Sequence, residues 1–187
     1  MKLQIVSAIA IISLIAAVFV AGCTSPTNNK SPTPSGAAGQ HDAFLERYLT
    51  AYQNKSKQDA TLDAWEVTWV NNTAANIQFT LGNISLNSSE GTNANVSTNA
   101  SIVHFHSVQD ASTYVNGLNK TGYDLASTSY DASNATDVAS AYSQAAGHAP
   151  TVYKLYEGAT NESAPNAQYP TIEQVDDLVA TYTIMTT

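Results

Sequence analysis

The chain has 187 residues, 43% of them hydrophobic and 12% charged, with 15 Asp and Glu against 7 Lys and Arg for a formal net charge of −8. That length suffices for one domain with a sizeable core. The few cations are scattered, which excludes the clustered basic face that duplex nucleic acid requires, and a single cysteine excludes an internal disulfide framework.

The first element has the parts of an export signal. Lys2 precedes an apolar run from Leu3 to Val20 that ends in Val20-Ala21-Gly22-Cys23. A basic residue orients such a segment, the apolar stretch enters the bilayer, and small residues let a peptidase reach the backbone. Val20, Ala21, Gly22 and Cys23 resemble, position by position, the lipobox of prokaryotic lipoproteins. The resemblance implies a signal peptide over 1–22 and a lipid on Cys23 at the new N-terminus. The alternative is an uncleaved anchor, because about 20 apolar residues span a hydrocarbon core. In both cases Lys2 marks the side that stays inside. The expected place is the extracellular side of the cell membrane, with the membrane as a partner through Cys23.

Residues 23–40 form a linker. From Thr24 onward it is Thr, Ser, Pro, Asn, Gly, Ala and Gln with Lys30 as its one charge, and a coil of this kind reaches about 20–25 Å. Ten asparagines open the triplet Asn-x-Ser/Thr: Asn29, Asn54, Asn71, Asn83, Asn87, Asn95, Asn99, Asn119, Asn134 and Asn161. Chance would give about three, so N-glycosylation within the domain is expected at Asn54, Asn71, Asn83, Asn87, Asn95, Asn99, Asn119, Asn134 and Asn161. A lipobox joined to so many acceptor sites is similar to the surface lipoproteins of archaea.

Residues 41–187 are expected to fold as one α+β domain: an N-terminal helix, a β-hairpin, then β-α-β and α-β units on a mixed or antiparallel sheet. Phe44, Leu45, Tyr48, Leu49 and Tyr52 recur at helical spacing behind Asp42, which can cap the first turn. Trp65, Val67 and Trp69, then Ile77, Phe79 and Leu81, alternate with polar residues on either side of Asn71-Asn72-Thr73, the pattern of a hairpin. The low-complexity stretch near 87–100 predicts a decorated loop. A strand over 102–106 leads to a helix capped by Ser107 that buries Val108, Ala111, Val115 and Leu118 and stops at Gly122, followed by a strand with Tyr123 and Leu125. A helix capped at Asn134 presents Val138, Ala141, Tyr142 and Ala145, a strand covers 152–156, Thr171-Ile172-Glu173-Gln174 fits a capping box on a short helix, and 178–185 is a final strand.

Two constellations could carry chemistry. His104 and His106 lie two apart in the expected strand, so both would face one side about 6–7 Å apart, a spacing metal sites use. Trp65 and Trp69 share a strand face and could stack on sugar rings, although the same alternation describes core residues. Glu173, Asp176 and Asp177 are read as a solvated acidic face. No nucleophile elbow, phosphate loop or dinucleotide fingerprint is present, and no cofactor is implied. The expected function is a non-enzymatic binding or structural module of the cell envelope, with an envelope glycan or protein as partner. The alternative is an extracellular metal-assisted enzyme using His104 and His106.

Overall fold

The computed structural model describes residues 40–85, 93–159 and 168–186. The leader, the linker with Cys23, and the sequons at Asn29, Asn87 and Asn161 lie outside these residues, as does the side chain of Asn83. The described part is an α+β fold, with three helices and a seven-stranded sheet whose neighbouring strands are all antiparallel.

Helix α1 (Ala43–Asp59) forms where the spacing places it, and Leu45, Tyr48, Leu49 and Tyr52 are buried along one stripe. Asp42 caps it, accepting the Leu45 N–H at 2.7 Å. Strands β1 (Thr61–Asn71) and β2 (Ala74–Ser85) make the hairpin, with Trp65 opposite Phe79 and Val67 opposite Ile77. In the turn, the Asn71 side chain accepts the Thr73 N–H at 2.8 Å.

The decorated loop near 87–100 becomes strand at Asn93: β3 (Asn93–His104) runs between β2 and the last strand. Val96, Thr98, Ala100 and Ile102 are buried while Asn95 and Asn99 are exposed, a period of two that small residues conceal in the sequence. The strand stops at His104 rather than His106. Phe105 leaves the ladder to donate its N–H to the Asp177 carbonyl at 2.8 Å and to pack on Tyr114.

Helix α2 (Val108–Gly117) starts at the Ser107 cap, buries Ala111 and Val115, and ends five residues before Gly122. After β4 (Tyr123–Ser127), helix α3 (Asp137–Ala146) is capped by Thr136, not Asn134, because the Thr136 oxygen accepts the Ala139 N–H at 3.1 Å. Gly147 ends it at φ 78, a left-handed angle suited to glycine. Strands β5 (Tyr153–Gly158), β6 (Gln168–Val175) and β7 (Leu178–Thr186) complete the sheet. The capping box expected at Thr171 is mid-strand in β6, where Glu173 and Gln174 are fully buried on opposite faces.

The strand order is β1-β2-β3-β7-β6-β5-β4. Helices α1 and α3 pack together over one face and enclose the main core, which includes Leu45, Tyr48, Ile77, Ile102, Val138 and Leu178. Helix α2 packs alone on the other face, over β6 and β7, where Ala111 and Val115 meet Val179.

Ile77 is 1% exposed at the centre of the main core. Ile77→Ala should lower unfolding free energy in urea by about 2–5 kcal/mol. Thr68→Ala, on the exposed side of β1, should change it by less than about 0.5 kcal/mol.

Candidate functional site

The polar residues of this domain converge in two places. At one end of the sheet, His104 closes β3 against two carboxylates. Its Nδ1 lies 2.9 Å from Asp42 Oδ1 and its Nε2 lies 3.4 Å from Asp177 Oδ2. An imidazole with an acceptor at each nitrogen is best served by carrying both protons. Burial of the ring works against that charge, but the hydrogen bonds and charges of Asp177 and Asp42 outweigh it, and the His104 pKa is raised. Burial likewise opposes ionisation of Asp177, and His104 again prevails, so its pKa is lowered.

This ion cluster joins distant parts of the chain. Asp42 is also the cap of α1, and its N–H donates to Asn72 O in the β1–β2 turn at 2.7 Å. The His104 N–H donates to Thr73 O at 2.9 Å, and Tyr142 of α3 donates its hydroxyl to Asp177 Oδ1 at 3.1 Å. Phe44 packs its ring against both His104 (4.6 Å) and Tyr142 (5.3 Å). In the adjoining β6–β7 turn, Asp176 has φ 50 and accepts from the Thr151 N–H, the Thr151 hydroxyl and the Val152 N–H at 2.9, 2.7 and 2.7 Å. Asp176 and Asp177 are therefore anchors of the loop before β5 and of His104. The solvated acidic face expected from their sequence is not what they form.

The second convergence lies inside the core. Glu173 of β6 is 0% exposed and accepts hydroxyl hydrogens from Thr136, the α3 cap, and from Tyr182 of β7. Tyr153 of β5 stands close enough to favour its charge, while Tyr48 and Tyr52 of α1 and Asp137 of α3 stand near enough to feel it. Burial pushes the Glu173 carboxyl up to about 7, against the pull of the three hydroxyls. Protonated, it can return a hydrogen bond to one of the same hydroxyl oxygens. The Tyr48 hydroxyl, in the same core, has no hydrogen-bond partner among the described residues.

His106 does not join His104. It lies beyond the end of β3 and is exposed, and among the described residues no three His, Cys, Asp or Glu side chains are grouped to hold a metal ion. A metal at either His104 nitrogen would have to displace a carboxylate contact. Trp65 and Trp69 are both half-buried. Trp65 stacks on Phe79 at 5.4 Å and Trp69 on His41 at 3.8 Å, so much of each ring is committed to protein contacts. Their remaining edges line a shallow groove of about 310 Å³ with Glu46, Thr50 and Gln53 of α1. The sequons whose side chains are described, at Asn54, Asn71, Asn95, Asn99, Asn119 and Asn134, are all exposed.

These features define a small α+β module whose ionisable groups tie its elements together. No known protein family matches the sequence, and comparison with curated proteins and with solved structures finds no similar chain.

Three groups of these two clusters contribute to the pH dependence of stability between about pH 3 and 8. His104, raised above 6.5, contributes stability that is complete below about pH 6.5 and is lost as pH rises through its folded value. Asp177, lowered below 3.8, contributes stability that is complete above that pH and is lost as pH falls. Glu173, raised from 4.5 to about 7, makes the fold the better proton binder, so stability declines across that interval, by on the order of 3 kcal/mol. The thermal midpoint should therefore peak at about pH 4–4.5, between the Asp177 and Glu173 limits, and fall toward pH 8. Glu173→Gln should remove the decline between pH 4.5 and 7 while leaving the His104 loss above it. A wild-type midpoint that rises steadily from pH 5 to 8 would contradict this account.

Proposed function

We propose that the chain is a lipid-anchored, N-glycosylated module of the cell envelope that binds or supports other envelope components and performs no catalysis. The observation that carries this reading is the exposure of all six sequon asparagines whose side chains are described. Asparagines placed by a run of unrelated triplets would fall on a helix, in strands and in turns, as these do. That each one faces solvent leaves every acceptor amide room for a sugar.

Two of these sites are also arranged for recognition. At Asn71 and at Asn119 the side-chain oxygen accepts both the N–H and the hydroxyl of the threonine two residues on, at 2.8 and 3.2 Å and at 3.0 and 2.8 Å respectively. The hydroxyl and the amide of the triplet thus meet in an exposed turn. The acidic composition suits a soluble surface exposed to salt, and the lipobox supplies attachment. The partner is best sought among envelope glycans and proteins. The metal-assisted alternative draws no support from His104, whose ring nitrogens both face carboxylates.

Mass spectrometry of the membrane fraction tests the reading. It should find a new N-terminus at Cys23 carrying lipid, and glycan mass on peptides containing Asn71 and Asn119. An unprocessed chain beginning at Met1 together with unmodified sequons would refute it.

A further inference from the structure

The sheet is covered unequally. Helices α1 and α3 close one face, whereas on the other face α2 sits over β6 and β7, held by Val179 and by the bond from Gln174 to the Ser112 hydroxyl at 2.8 Å. Beyond that helix the face of β1, β2 and β3 shows exposed Thr68, Asn76, Gln78 and Asn99. Gln78 stands directly across from Asn99, and the Thr80 and Ser97 hydroxyls meet at 3.4 Å. It is a surface of hydroxyls and amides, with Glu66 and, over Gly82, Asp63 as its charges on β1. Such a surface needs no protein cover, and it matches the hydrogen-bonding character of carbohydrate.

We infer that this face is covered by the chain's own N-glycans on Asn99 and Asn95, an inference that rests on the envelope-glycoprotein reading above. Both asparagines are exposed on β3 on the open side, four residues apart, or about 13 Å. That separation lets two glycans stand side by side. Strand β3 is paired on both edges, with β2 and with β7, so sugars on it stand between the bare strands β1 and β2 and the open end of β7. The bond forms between Asn Nδ2 and C1 of a sugar delivered as a lipid-linked phosphate. The C1–O bond to phosphate breaks as the C1–N bond forms, Nδ2 loses one proton, and the phosphate departs with the bonding electrons. Because the backbone around Asn99 is hydrogen-bonded on both sides once the sheet closes, this step belongs before β3 pairs, during export.

Met185 offers a direct readout. It stands opposite Ser97 on β7, on the same face as Asn95 and Asn99, and the sequence holds one other methionine, Met1. The full chain is produced in a host that exports and N-glycosylates it, alongside the Asn95→Gln/Asn99→Gln variant, which changes exposed side chains only. Glycopeptide mass spectrometry should find sugar on Asn99 and Asn95, and peroxide should oxidise Met185 several-fold faster in the variant, with circular dichroism unchanged. Sugar at Asn71 or Asn119 with Asn95 and Asn99 bare would overturn the inference and leave the glycoprotein reading standing. Sugar at none of the six described sites would overturn both. Occupied sites with equal Met185 oxidation in the two proteins would show that the glycans do not cover the face.

Discussion

A single sheet with apolar side chains on one face constrains everything else in this domain. Seven antiparallel strands present two surfaces, and apolar residues at alternate positions require a cover on one of them. Two helices packed together, α1 and α3, supply it. Their apolar stripes meet the same face to which Trp65, Val67, Ile77, Phe79, Ala100, Ile102 and Leu178 belong. On the opposite face α2 buries little more than Ala111 and Val115 against Val179, so the remaining strands must carry polar side chains there. Much of the serine, threonine and asparagine content of β1 to β3 follows from this one-sided burial.

The core of such a fold has few ways to fix where its helices sit, because apolar contacts are not directional. The buried polar groups supply direction. Glu173 of β6 binds the α3 cap and β7 through the Thr136 and Tyr182 hydroxyls, and His104 binds the start of α1 to the ends of β3 and of the β6–β7 hairpin. Tyr142 then links α3 to that second cluster. Each helix of the covering layer is thus held at its N-terminal end by a hydrogen bond to a sheet residue or to a residue paired with one. A buried carboxyl and a half-buried imidazole are costly in isolation, and both are retained where several donors or acceptors surround them.

Strong local patterns were legible in the sequence. The stripe of α1, the Asp42 and Ser107 caps and the β1–β2 hairpin are visible because large apolar residues mark the period and side-chain oxygens mark the ends. Strand β3 was obscured because Ala100 and Thr98 occupy core positions that a composition reading assigns to a loop. At β6, Thr171 and Gln174 imitate a helix cap, and burial on both faces of the strand removes the alternation that would have betrayed it. The site was less legible still. Asp42, His104 and Asp177 are separated by 62 and 73 positions, and their meeting depends on strand order, which no local spacing encodes. His104 drew attention through His106, a neighbour in sequence that proves not to be its partner.

The six described sequons differ in what their hydroxyl residue does, and that difference separates triplets lying outside the ladders from those drawn into them. Thr73 and Thr121 bond their own asparagine in exposed turns, so these triplets are held by local bonds rather than by a helix or strand ladder. Ser56, the hydroxyl residue of the Asn54 triplet, is 1% exposed and bonded to Tyr52 O within α1. Ser97, in the Asn95 triplet, meets Thr80 across the β2–β3 ladder. In helix and strand the backbone of the triplet is committed to its own ladder, and an enzyme that must grip both amide and hydroxyl would have to break it. The hydroxyls of the Asn71 and Asn119 triplets stay clear of helix and strand ladders, whereas folding ties up the hydroxyl of the Asn134 triplet, where Thr136 caps α3 and bonds Glu173, and those of the Asn54 and Asn95 triplets in α1 and β3. A small domain thus holds acceptor triplets of both kinds, some that the fold leaves outside its ladders and some that it draws into them.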